Sequence, residues 1–221
     1  MSIAMTSLRV CKAEEMGFRF PNRYNYALSL RPPFIGDVTL GPVVYGLCGG
    51  MCYAALDYYH AGLPVPRRTT VPRPGDALYR YLWKRQMNSL QLPMGPLRIL
   101  RRMFKEDEAV ARSTIRKEFP KLRYNIARLQ PSVLLMIYAR SWEPPTRNHQ
   151  VVAVGYDLDE VAQRATIFLY DPNYPGKEPT LHLDLRSSPG TFMQSTGETP
   201  RGFFLQDYRS KRKRPPGSPR P

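Results

Sequence analysis

Three short stretches of the chain carry side chains whose types and spacing suit covalent chemistry. The first is Tyr45-Gly46-Leu47-Cys48-Gly49-Gly50-Met51-Cys52, which opens a helical apolar pattern. A cysteine at a helix N-terminus faces unpaired backbone N–H groups and the positive end of the dipole, and both favour the reactive thiolate. The Cys48 N–H is also placed to donate to a developing oxyanion. Gly49 and Gly50 are poor helix formers and suit a point where bare backbone approaches a ligand. The second stretch is Asn148-His149-Gln150-Val151-Val152, with His149 at the head of a strongly apolar strand pattern. The third is Tyr170-Asp171-Pro172-Asn173, with Asp171 at the exit of the next strand. If the two strands form a hairpin, the start of one lies beside the end of the other and His149 meets Asp171. In chain order these are a thiol nucleophile, a general base and acid, and an orienting carboxylate. That set attacks an amide or acyl carbonyl through a covalent acyl intermediate.

The elements that must position these residues divide the chain in two. A helix is expected from Cys48, where Cys48, Met51, Cys52, Ala55, Leu56 and Tyr59 mark one buried face, and Gly62 and Pro64 end it. Further helices are expected over 75–90, with Leu78, Tyr81, Leu82 and Arg85 at helical spacing, then over 97–104, 107–119 and 121–129. After Pro131 the pattern turns to strands at 132–138, 150–156, 165–170, 180–185 and 202–208. Residues 16–21 read as a short strand or extended segment and 22–47 as loop. The expectation is an α+β fold in which an N-terminal helical lobe with a central Cys-bearing helix packs on a C-terminal antiparallel sheet. It would form a single domain over 16–208, helical over 48–130 and sheet over 131–208. A weakly ordered N-terminus over 1–15 would precede it, and a basic, Pro-rich disordered tail over 209–221 would follow.

Asn148-His149-Gln150-Val151-Val152-Ala153-Val154-Gly155-Tyr156 resembles the histidine strand of papain and the cathepsins. The Cys-Gly start of a buried helix, the apolar strand Leu134 to Ile137 and the Tyr-Asp-Pro at 170–172 are more similar to the bacterial peptidases that cleave double-glycine leader peptides. Together these stretches span over a quarter of the chain. The resemblance implies a papain-like cysteine peptidase fold, with Cys48 as nucleophile, His149 as general base and acid, and Asp171 as orienter, or Asn173 in that last role. It implies peptide hydrolysis, with deamidation and acyl transfer open to the same triad, and no cofactor. The chain also departs from that pattern. Papain-type enzymes place a Gln six residues before the nucleophile as an oxyanion donor, and here that position is Pro42. The Cys-Trp pair at the nucleophile is absent. Tyr45 and Gln86 remain as suppliers of the second oxyanion donor, beside the backbone at Cys48 and Gly49.

Other readings compete with this one. Cys48 and Cys52 at i, i+4 could join His149 and Asp171 around a metal ion, but no second tight pair of ligands supports that, and the expectation is no metal site. Cys52, one turn deeper on the apolar face, reads as core, and His60 and His182 as structural. The 33 Lys and Arg against 18 Asp and Glu give a net charge of +15, which invites an anionic partner. No nucleic-acid-binding signature accompanies it. The excess lies in 64–86, 98–128 and 209–221, and the remainder, which holds the three chemical stretches, nets −2. The charge therefore reads as peripheral. The alternative function is a catalytically inactive fold of the same type that binds anions or nucleic acid weakly through Lys211, Arg212, Lys213 and Arg214. No secretory segment or spanning helix is visible, so a reducing cytoplasmic setting with free thiols is the expectation.

Overall fold

The computed structural model describes residues 5–30, 38–186, 192–210 and 215–216, with the side chains of 26–30 and 38–45 left out. In chain order the elements are β1 (Met5–Arg9), α1 (Ala13–Met16), β2 (Tyr24–Leu30), β3 (Val38–Tyr45), α2 (Cys48–His60), α3 (Ala77–Ser89), α4 (Met94–Met103), α5 (Asp107–Ser113), a π-helical turn Thr114–Glu118 and α6 (Phe119–Ala127). The sheet strands follow as β4 (Ser132–Ile137), β5 (His149–Asp159), β6 (Arg164–Tyr170), β7 (Thr180–Asp184), β8 (Phe192–Gln194) and β9 (Gly202–Leu205). This is an α+β fold in which N-terminal helices pack against a curled C-terminal antiparallel sheet.

The sheet runs β8-β7-β6-β5-β4-β9. β4 is buried along its whole length, as its unbroken apolar run requires. β5 is the long central strand. Its first half pairs with β4 and its second half with β1, while β6 runs along its other edge. β9 comes last in sequence but lies beside β4 at the sheet edge. That edge is closed by α5, the π turn and α6. Thr114 Oγ accepts the Phe203 N–H at 3.0 Å, and Glu118 Oε2 accepts the Leu205 N–H at 3.2 Å. The charged helical stretch thus satisfies edge donors that would otherwise invite another strand.

α2 lies inside the molecule. Every residue from Gly49 to Tyr58 is buried, so the expected single buried face is corrected to a helix enclosed all round. α3 packs closely along it because Gly49 and Gly50 carry no side chain. A Cβ on Gly50 would collide with the Leu82 carbonyl, and one on Gly49 with Ser89 Oγ. The glycines therefore serve helix–helix contact, not the approach of a ligand.

Three further expectations are corrected. Residues 22–47 are not simply loop, because β2 and β3 form a hairpin with Tyr24 opposite Tyr45. Its Pro and Gly residues hid the alternating Tyr24, Tyr26, Leu28 and Leu30. The segment 16–21 is the end of α1 and coil, not a strand. Within the N-terminus expected to be weakly ordered, β1 joins the sheet on β5. Lys211–Arg214 lie outside the described residues. Of the C-terminal segment, Arg209 and Pro216 are held by carbonyl contacts with Arg85 and the Tyr58 hydroxyl.

Candidate active site

Cys48 occupies the first turn of α2. Just before that turn, Asn22 Oδ1 accepts the Leu47 N–H at 2.6 Å. His149 begins β5 opposite Met136. Val152 pairs with Tyr170, so one more step along the register sets Asp171 beside Val151 and diagonal to His149 on the same face. The diagonal is closed by a hydrogen bond of 2.7 Å between His149 Nε2 and Asp171 Oδ1. With Nε2 engaged, Nδ1 is the ring nitrogen that remains, and Cys48 lines the same cleft as His149. The direct contact in the structure is between His149 and Asp171, with Cys48 as their neighbour on the cleft.

The electrostatics of the chain follow from burial set against pairing. Burial pushes the Cys48 thiol up. The hydrogen bond and charge of His149, helped by the Gln150 and Gly49 backbone groups, outweigh it and hold Cys48 below the ordinary thiol value of 9.0. Burial pushes His149 down, but the charge and hydrogen bond of Asp171, then those of Cys48, carry it up to about 10. Asp171 is itself pushed up by burial and brought below its ordinary 3.8 by His149, the Asn173 N–H and Gln194. The other cysteines differ: burial raises Cys11 to about 11 and raises Cys52 well above 9.0. Cys52 Sγ lies 3.3 Å from the Gln150 carbonyl, inside the core as expected. No group of three or more His, Cys, Asp or Glu among the described residues could hold a metal ion.

The auxiliary residues fall into distinct positions. Asn173 does not replace Asp171. Its N–H donates to Asp171 Oδ1 at 2.9 Å, and its Oδ1 accepts from Asn22 Nδ2 at 3.1 Å. Gln86 Oε1 accepts the Gly50 N–H at 2.8 Å, and its Nε2 has no protein partner among the described residues. The Gly49 backbone supports the Cys48 sulfur, and its Cα faces Ser89 and Gln150. Tyr45 closes β3, and neither its side chain nor that of Pro42 is among those described.

Two residues at the site escaped the sequence reading. Gln194, on the short strand β8, is fully buried and donates from Nε2 to Asp171 Oδ2 at 2.9 Å. Its own carbonyl accepts from Tyr138 Oη at 3.3 Å. Asn22 precedes Cys48 by 26 positions, yet the β2–β3 hairpin starts and ends side by side and so returns the chain to it. A fixed six-residue offset could not find Asn22. Its available signal was a polar amide just before a hairpin that closes just before the cysteine.

Cys48 and His149 open onto a cleft of about 960 Å³. Asn22, Gln86, Asn148 and Asn173 line its polar side, and Pro96, Ile99 and Leu100 of α4 with Leu90 and Leu135 line its apolar side. No family model, curated protein or solved structure matches the chain.

Proposed function

We propose that the protein is a thiol-dependent hydrolase or acyl transferase of papain-like fold, acting on an amide or acyl bond through Cys48, His149 and Asp171. The single observation that carries this reading is His149 joined at Nε2 to a buried carboxylate while sharing one cleft with the Cys48 thiol.

In this reading the Cys48 thiolate attacks the carbonyl carbon, and the carbonyl electron pair moves to oxygen. The Cys48 N–H, at the head of α2 where backbone donors lack intrahelical acceptors, receives that oxyanion. Gln86 Nε2 is the second donor, because its partner oxygen is fixed by Gly50 and Nε2 has no partner among the described residues. Asn22 is a positioning residue, since it is committed to Leu47 and Asn173. The His149 imidazolium gives its Nδ1 proton to the leaving amine or alcohol, and a thioester to Cys48 remains. Neutral His149 then takes a proton from water or another acceptor, which attacks the thioester and frees the thiol. Asp171 keeps the ring oriented and favours its charged form throughout, while Gln194 and Asn173 fix the carboxylate.

The test is alkylation by iodoacetamide from pH 5 to pH 10, with each cysteine peptide quantified by mass spectrometry. Cys48 should react at mildly acidic pH, ahead of Cys11 and Cys52. A rate for Cys48 that only rises through the range of an ordinary free thiol would sink the proposal.

A further inference from the structure

Along α4 apolar side chains stand on the exposed side as well as the buried one. Two of its three arginines turn towards the protein: Arg98 donates to the Leu205 carbonyl at 3.1 Å, and Arg102 lies 4.0 Å over the Phe204 ring and pairs with Glu118. Met103 is buried and Ile99 packs on the core, but other large apolar residues face out. Leu97 is 56% exposed and Phe104 72%, with Met94 and Leu100 on the same arc and Leu92 just before the helix. These positions follow helical spacing, so they form a ridge and not scattered single exposures. Trp142, 79% exposed, stands on a loop tied to the start of α5 by the Arg140–Asp107 ion pair of 2.6 Å, close after Phe104.

We infer that this ridge seats the protein on an anionic membrane surface, with α4 lying in the plane of the headgroups and the cleft opening beside it. Three observations select this occupant. The ridge side chains are largely exposed, and a bilayer accepts protruding Leu, Met, Phe and Trp side chains. Residues 93–105 carry four basic side chains and no acid, and Arg101 and Lys105 beside the ridge have no ion-pair partner among the described residues. A second copy meeting this face by two-fold symmetry would set those same cations against each other. Leu100 belongs to both the ridge and the wall of the cleft, so a group presented at the lipid surface lies at the cleft mouth. The seating does not depend on the chemistry of Cys48. No helix among the described residues is long and apolar enough to cross a membrane, so α4 is read as lying on the surface.

The test is co-sedimentation of the full chain with vesicles of 7:3 phosphatidylcholine and phosphatidylglycerol, against pure phosphatidylcholine, at low and high salt. Binding should be at least ~10-fold stronger to the anionic vesicles, weaken with salt, and fall at least ~10-fold in Leu97→Glu/Phe104→Glu. Arg101→Glu/Lys105→Glu should lose the preference for anionic lipid. Melting temperatures equal to that of the parent show that the variants are folded. No binding by the parent overturns the inference, as does binding that Leu97→Glu/Phe104→Glu leaves intact. Binding removed only by deleting Lys211–Arg214 also overturns it, because the tail would then be the anchor. A dimer that Leu97→Glu/Phe104→Glu converts to monomer, without vesicle binding, assigns the ridge to a second copy instead.

Discussion

The two ends of α2 each carry a group of titratable side chains, and the two groups are built differently. At the C-terminal end Asp57 meets Arg85 twice, at 2.7 Å to Nε and 3.0 Å to Nη2, and accepts the hydroxyls of Tyr81 and Tyr208 at 2.8 Å each. Arg85 also donates to the Arg209 carbonyl at 3.0 Å, and the Tyr53 and Tyr208 rings flank it. This cluster is closed, many-partnered and charged by a guanidinium, which has no proton to give at neutral pH. At the N-terminal end the pair is Cys48 and His149, both able to exchange a proton and open to a cleft. A buried charge held by several partners fixes structure, whereas titratable groups beside a cavity are free to exchange protons. One member of the basic stretches is not at the periphery: Arg85 is among the most deeply buried side chains.

Substitutions at the two ends should separate stability from chemistry. The largest effect expected is from Cys48→Ala, which should lower turnover of a responsive ester or amide by at least ~10⁴-fold with little change in melting temperature. A Cys48→Ala protein that turns over normally would remove the contrast altogether. Next comes Asp57→Ala, which leaves Arg85 buried and unpaired and should cost about 3–5 kcal/mol in chemical denaturation, while Cys48 in the folded fraction alkylates as before. An Asp57→Leu/Arg85→Met protein should recover much of that loss; if it is as unstable as Asp57→Ala, the unpaired charge is not the cause. Third, Gln86→Ala should reduce kcat by about 10²–10³-fold with KM nearly unchanged, as expected for loss of an oxyanion donor. An effect on KM alone would instead assign Gln86 to substrate binding.

The smallest effect is on pH dependence, and it sharpens the same comparison. Since His149 is raised from 6.5 to about 10, its stabilising contribution is complete below pH 6.5 and fades as pH climbs through about 10. Cys48 is lowered, so its contribution is present above 9.0 and is lost as pH falls through its depressed folded value. In His149→Asn the alkylation profile of Cys48 should move to higher pH, and stability should lose its decline towards pH 10. A profile unchanged by His149→Asn would detach the histidine from the thiol.

Much of the architecture was legible because it rests on local pattern. The helix from Cys48, the apolar run of β4 and the β5–β6 hairpin all follow from periodicity and turn residues, and the hairpin is what predicts the meeting of His149 with Asp171. β8 was missed because three residues carry too little pattern, and with it went Gln194. The β2–β3 hairpin was missed among prolines and glycines, and with it went Asn22. Gly49 and Gly50 were recognised as close contacts but assigned to a ligand, because sequence spacing does not show that α3 lies against them.

Local pattern alone marks α2 to α6, β4 to β7 and β9, and places Cys48, His149 and Asp171 at element ends, since propensity, periodicity and hairpin geometry act over a few neighbouring residues. The tertiary structure decided what surrounds them. It set Asn22, Gln86 and Gln194 at the site, closed Arg85 onto Asp57, and turned the apolar face of α4 outward. These depend on side chains far apart in the chain, whose meeting is fixed by how the core packs.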